Sequence, residues 1–138
     1  MPKPIHCILL VDDDPDDNFL HQTIIDDSGL CETVRVAENG IQALDYLTAT
    51  DRPDYIRPNV ILLDINMPGM NGFEFLERYH QLPDALKVNL IMLMLTTSIN
   101  PADRWRAKGV PEVNGYQTKP LTEAMLRDIV ARYFTEPS

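Results

Sequence analysis

Only two cysteines occur in the 138 residues, Cys7 and Cys31, and neither belongs to a C-x-x-C pair or stands at zinc-ligand spacing from a histidine. That excludes a disulfide scaffold and a zinc module, and it suits free buried thiols in a reducing compartment. His6, His21 and His80 share no ligand spacing either, so each reads as an ordinary surface or strand residue. Basic side chains are scarce: 12 Lys and Arg face 21 Asp and Glu, for a net charge of -9. Such a field repels nucleic-acid backbones and anionic lipid surfaces, and neither is expected as a partner. No apolar run is long enough to span a bilayer, and the one in the opening MPKPIHCILLVDDD is too short for a secretory signal. A cytoplasmic protein without a membrane segment is expected.

What is present is ordinary in amount, with 44% hydrophobic and 24% charged residues, so a single domain over residues 1–138 with a core of its own is expected. The charge is local, since residues 1–70 hold 4 basic and 13 acidic side chains and the remainder holds 8 of each. Residues 5–11, 60–63 and 88–95 are nearly continuous apolar blocks, as in strands covered on both faces. Residues 33–37 and 113–117 are weaker strand candidates. Between them Phe19, Leu20, Ile24 and Ile25 recur at helical spacing, as do Ala43, Leu44 and Leu47, then Phe73, Leu76 and Tyr79. Met125, Leu126, Ile129, Val130, Tyr133 and Phe134 mark a last helix. Five β-α repeats predict an α/β fold, a doubly wound five-stranded parallel sheet wrapped by helices on both faces.

Active sites in such sheets lie beyond the carboxyl ends of the strands. Asp12 and Asp13 follow the first strand, Asp64 the third, Thr96 the fourth and Lys119 the fifth. Within the run from Asp12 to Asp17, Asp14 before Pro15 suits a helix N-cap, and Asp16 and Asp17 suit a first turn. Asp12 and Asp13 are left unexplained, and Asp64 beside them would crowd three negative charges into one place. Crowding of that kind raises pKa values or recruits a cation, and carboxylates are the hard oxygen ligands that Mg2+ takes.

Asp64 opens Asp64-Ile65-Asn66-Met67-Pro68-Gly69-Met70-Asn71-Gly72, and this D-x-x-M-P-x-M-x-G pattern is far more specific than a turn requires. Here the chain resembles the receiver domain of two-component response regulators, over nearly its whole length. The resemblance implies a flavodoxin-like (βα)5 fold with strand order 2-1-3-4-5. It implies Asp64 as phosphoacceptor, Mg2+ held by Asp12, Asp13, Asp64 and the backbone carbonyl of Asn66, and Thr96 and Lys119 bonded to the phosphoryl oxygens. Tyr116 matches the aromatic position that, with Thr96, reports activation. The protein would then be a single-domain phosphorelay component and not an enzyme, apart from self-phosphorylation by small donors and loss of its own phosphoryl group. Its implied partners are a sensor histidine kinase or a phosphotransfer protein, then a downstream target met by the face of the fourth helix, fifth strand and fifth helix. A homodimer is a further assembly open to it.

Three features depart from the commonest receiver pattern. Thr97 stands where Ala or Gly is frequent, residues 50–59 make a long connection, and residues 108–114 contain Gly109 and Pro111. The long connection resembles that of stand-alone receivers serving phytochrome-like sensor kinases. Asn100 and Pro101 suit the start of a short fourth helix in which Trp105 lies between Arg104 and Arg106, fit either for an interface or for packing on its own domain. A haloacid-dehalogenase-like phosphatase, with Asp12 as nucleophile and Asp14 as acid/base, is the alternative from another class. It lacks an acidic pair at a strand end after Lys119. A phosphorylation-independent pseudo-receiver would lack one of the acidic, Thr or Lys residues, and none is missing.

Overall fold

In a computed structural model of the chain, strands β1 (Ile5–Val11), β2 (Cys31–Ala37), β3 (Val60–Asp64), β4 (Leu90–Leu95) and β5 (Val113–Thr118) form one sheet. Every pairing is parallel, and the order is β2-β1-β3-β4-β5, as the resemblance implied. The structure describes residues 3–64, 67, 69–88, 90–95, 109, 113–118 and 120–134. Its helices are α1 (Pro15–Ser28), α2 (Gly40–Thr48), α3 (Gly72–His80) and a last helix, Glu123–Tyr133, with a 3-10 turn at Asp84–Leu86. The expected fourth helix, with Trp105, lies outside the described residues.

β1 and β3 have no polar face because successive side chains feed two separate cores. Leu9, Val11, Ile61 and Leu63 meet Ala43 and Leu47 of α2 and Phe75 of α3 on one side. Ile8, Leu10, Val60 and Leu62 meet Ile25 of α1 and Leu126 and Ile129 of the last helix on the other. The helix starts are capped as their sequences suggest. Asp14 accepts from the amides of Asp16 and Asp17, Asn71 and Glu74 form a reciprocal capping box, and Thr122 accepts from Met125. Helix α1 ends on Gly29 at φ 70, a left-handed conformation that suits glycine.

Helix α1 departs from its expected face. Phe19 is 73% exposed and Leu20 is exposed, while Asn18, His21 and Ile25 point inward. His21 is therefore neither a surface nor a strand residue: its Nε2 accepts the backbone N–H of Leu121 at 3.3 Å, inside the protein. The fourth strand also begins later than residue 88, since the Val88 N–H donates to the Tyr79 hydroxyl at 2.8 Å. β2 begins earlier than residue 33 because Cys31 pairs with Ile5.

The long connection, residues 50–59, lies at the amino end of β3, the opposite end from Asp64. Tyr46 holds it: the hydroxyl donates to Ile56 O at 2.5 Å and accepts from Ile56 N at 3.2 Å. Asn59 closes it, its Oδ1 accepting the amides of His6 (2.8 Å) and Cys7 (3.1 Å) while its own N–H donates to Cys7 O at 2.9 Å. Replacing this side chain strands a half-buried donor, the Cys7 amide, near the start of β1. Asn59→Ala is expected to cost about 1–2 kcal/mol, read as a lower urea midpoint at unchanged slope; an unmoved midpoint would show that solvent replaces Oδ1 at no cost.

Both thiols are buried, as expected of free structural cysteines. Burial pushes the Cys7 thiol up from 9.0 to about 11, and burial also raises Cys31. The folded chain thus keeps a proton on Cys7 that the unfolded chain releases, so its contribution is whole below pH 9 and lost as pH climbs to about 11. Urea melts across that interval should show a shallower alkaline decline for Cys7→Ala than for wild type. Parallel curves would refute the assignment.

Candidate functional site

Val11 lies opposite Leu63 in the β1–β3 ladder. The residues that follow, Asp12 and Asp64, therefore emerge level with each other at the carboxyl edge of the sheet. Asp12, Asp13 and Asp64 each bring a carboxylate oxygen within 4.8 Å of the other two. Asp12 is 4% exposed and Asp64 3%, whereas Asp13 faces solvent. Asp12 is held on three sides: its Oδ1 accepts from Asp14 N at 3.0 Å, its N–H donates to Ala37 O at 3.1 Å, and its carbonyl accepts Asn18 Nδ2 at 2.9 Å.

Two buried carboxylates this close repel by about 3 kcal/mol at an effective dielectric of about 20. The polypeptide nonetheless fixes Asp12 in place through the amide of Asp14. An all-oxygen donor set from two strand ends, one member open to solvent, can hold a hard divalent cation with room left for water or a ligand oxygen.

Among the sequence-expected site residues, Asp12, Asp13 and Asp64 converge. Asn66, Thr96, Thr97 and Lys119 lie outside the described residues. Tyr116 occupies β5 opposite Leu93, but its side chain also lies outside them. Asp14, the acid/base of the phosphatase alternative, spends Oδ1 on the amides of Asp16 (2.9 Å) and Asp17 (3.4 Å), as a cap does.

Two functional supports escaped the sequence reading. Asn18 fixes the carbonyl of Asp12, and His21 pins the chain just after Lys119-Pro120 through Leu121. Both stand on the inward face of α1 together with Ile25, at the spacing i, i+3, i+7 of one helical stripe. A search for apolar periodicity passes over a stripe two-thirds polar.

The family model for the response regulator receiver domain matches residues 8–131. Response regulator Rcp1 of Synechocystis sp. (strain ATCC 27184 / PCC 6803 / Kazusa) is 33% identical over 118 residues, 85% of this chain and 78% of that protein. The structure of the Mn2+-bound form of Rcp1 matches with a TM-score of 0.73 at 30% identity, covering 99% of this chain and 100% of that one. A two component response regulator from Cytophaga hutchinsonii matches with a TM-score of 0.81 at 32% identity, over 98% and 100% of the two chains. The bacteriophytochrome response regulator AtBRR matches with a TM-score of 0.77 at 28% identity, over 99% and 98%. The phosphatase alternative finds no support in these likenesses. Among the described residues, no helix is long and apolar enough to cross a membrane.

Proposed function

The chain belongs to the response regulator receiver domain family of two-component signalling, and from that premise we propose that it is a single-domain receiver that accepts a phosphoryl group on Asp64. The observation that carries the reading is the convergence of Asp12, Asp13 and Asp64 from two neighbouring strand ends, with Asp64 buried at the edge of the sheet. Mg2+, held by the three carboxylates and the Asn66 carbonyl, would supply charge neutralisation at the phosphoryl oxygens. Mn2+-bound Rcp1 supports a divalent ion in this role.

Asp64 is a weak nucleophile toward a group already negative, so the protein's contribution is alignment and neutralisation rather than basicity. An Asp64 oxygen forms the new O–P bond in line with the donor. The P–N bond of a phosphohistidine breaks, and its electron pair returns to the ring nitrogen while the other ring nitrogen keeps its proton. With acetyl phosphate as donor, the P–O bond to the acetyl group breaks in the same way and acetate leaves with its electron pair. Lys119 offsets charge on an equatorial oxygen and the Thr96 hydroxyl donates to another. Bonds to charged groups contribute about 1.5–3 kcal/mol each, and reversing a 1:99 balance of conformations takes about 5.5 kcal/mol. Two such bonds therefore reach nearly far enough to drive the switch in which Tyr116 follows Thr96.

The donor is a sensor histidine kinase or a phosphotransfer protein, and likeness to a bacteriophytochrome response regulator favours a phytochrome-like kinase. Output is by contact with a downstream protein through the surface of β5 and its flanking helices, a second copy of the chain being one such contact. Intact-mass measurement after acetyl phosphate and Mg2+ tests the core of this reading. Wild type should gain one phosphoryl group and Asp64→Ala none; equal labelling would reject Asp64 as acceptor.

A further inference from the structure

The inward stripe of α1 carries Asn18, His21 and Ile25 at i, i+3 and i+7. Ile25 meets an apolar core, as expected of such a stripe. His21, only 2% exposed, gives up solvation that an aliphatic side chain would not need. A bond to the main chain helps to offset that cost, since Nε2 accepts the N–H of Leu121 at 3.3 Å among buried groups. An accepting Nε2 carries no hydrogen, so the ring is neutral with its proton on Nδ1.

Leu121 follows the end of β5 at Thr118 and precedes the cap of the last helix at Thr122. Its amide therefore belongs neither to the ladder nor to the helix, and being buried it needs a partner of its own. Lys119 and Pro120 alone separate it from the strand. On the strand side of that pair, Thr118 is paired with Leu95. On the helix side, Leu121 is fixed by His21 and by burial of its side chain in the core that holds Leu126 and Ile129. Two anchors so close together limit where the main chain can run between them, and one of them is a side chain 100 residues away.

We infer that His21 is a positioning residue for phosphotransfer: by holding Leu121 it fixes the backbone that carries Lys119, and with it the ammonium that offsets charge on the phosphoryl group. The inference rests on the phosphoacceptor reading, in which Lys119 has that task. An ammonium on a flexible four-carbon stem is only as well placed as its backbone, and fixed charge loses much of its effect when displaced by about 1 Å. One turn earlier on the same stripe, Asn18 donates to the Asp12 carbonyl at 2.9 Å. A single helix face thus serves the metal side of the site through Asn18 and the phosphoryl side through His21, and the two duties separate by experiment.

The test is the rate at which acetyl phosphate with saturating Mg2+ labels Asp64, followed by intact mass on the full chain. His21→Leu, close to histidine in volume but without an acceptor, should slow labelling about tenfold. His21→Gln sets an amide oxygen near the place of Nε2 and should restore the wild-type rate. In a Lys119→Ala background, itself slow, His21→Leu should cost nothing further, because the group it places is gone. The rise in melting temperature on adding Mg2+ should match wild type in His21→Leu, since Asp12, Asp13 and Asp64 stand at the ends of β1 and β3 and not beside Leu121 in the chain. Equal slowing by His21→Gln, losses that add in the double variant, or a diminished Mg2+ response would each reduce His21 to a structural residue and overturn the assignment. If Lys119→Ala takes no label at all, the glutamine and Mg2+ results decide. Should His21→Leu fail to fold, His21→Asn, whose side chain ends near the place of Nδ1, replaces it throughout. Wild type and His21→Leu labelled at one rate would sink this assignment alone, whereas a wild type that takes no label would count against the phosphoacceptor reading and carry the assignment down with it.

Discussion

Asp12→Asn is expected to slow labelling of Asp64 by acetyl phosphate about 100-fold while making the metal-free protein more stable. The two signs come from one cause. Asp12 and Asp64 are both buried, their oxygens lie within 4.8 Å, and Asp12 is held there by the amide of Asp14. Asparagine keeps an oxygen to accept that amide and removes the charge, so repulsion of about 3 kcal/mol at an effective dielectric of about 20 disappears from the folded state. Allowing for screening and for residual contact in the unfolded chain, a gain of about 1 kcal/mol should survive, or about 4 °C in melting temperature for a domain of this size. The same change deletes a metal ligand. Wild type should gain about 2.7 kcal/mol from Mg2+ at 100 times its dissociation constant, and the variant almost none. Calorimetry in EDTA and in MgCl2 separates the two effects. A variant that melts lower without metal, or that responds to Mg2+ as wild type does, would show that the cluster is not poised for a cation.

The parts of the fold that could be read from the sequence are those whose burial is one-sided in chemistry. β1 and β3 are apolar over residues 7–11 and 60–63 because both faces are covered there, and the reading placed their ends to within a residue. Asp12 and Asp64 were legible for the same reason, as charges standing where an apolar strand stops. Helix α1 was not, because its inward stripe carries Asn18 and His21, whose partners are backbone groups of Asp12 and Leu121. Leu121 is 100 residues from His21, and no local pattern announces a bond at that separation. The start of β4 failed similarly, since the Val88 amide is taken by a tyrosine hydroxyl from α3 and not by the ladder. Phe19 and Leu20 were legible as apolar but not as exposed. Exposed single hydrophobes are ordinary on a folded surface, so apolar spacing alone does not tell which side of a helix is buried.

Phe75→Ala should be the most damaging single change to the fold. The ring is fully buried and stacks on Tyr79 with centroids 5.9 Å apart. It belongs to the core that also contains Val11 and Leu63, the residues immediately before Asp12 and Asp64. No collapse of α3 onto the sheet can fill the space easily, because the helix is anchored at its start by the Asn71–Glu74 capping box and near its end by the Tyr79 hydroxyl on Val88 N. A loss of about 3–5 kcal/mol is therefore expected, against a total of about 7–20 kcal/mol at 0.05–0.15 kcal/mol per residue. Phe75→Leu refills most of the volume and should lose no more than about 1.5 kcal/mol. Because the cavity would open in the core that Phe75 shares with Val11 and Leu63, the alanine variant should also show a smaller Mg2+-dependent rise in melting temperature than the leucine variant. Urea denaturation with and without Mg2+ measures both. Equal losses for alanine and leucine would mean that α3 can close the gap, and an unaltered Mg2+ response in Phe75→Ala would mean that the strand ends hold their carboxylates without support from this core.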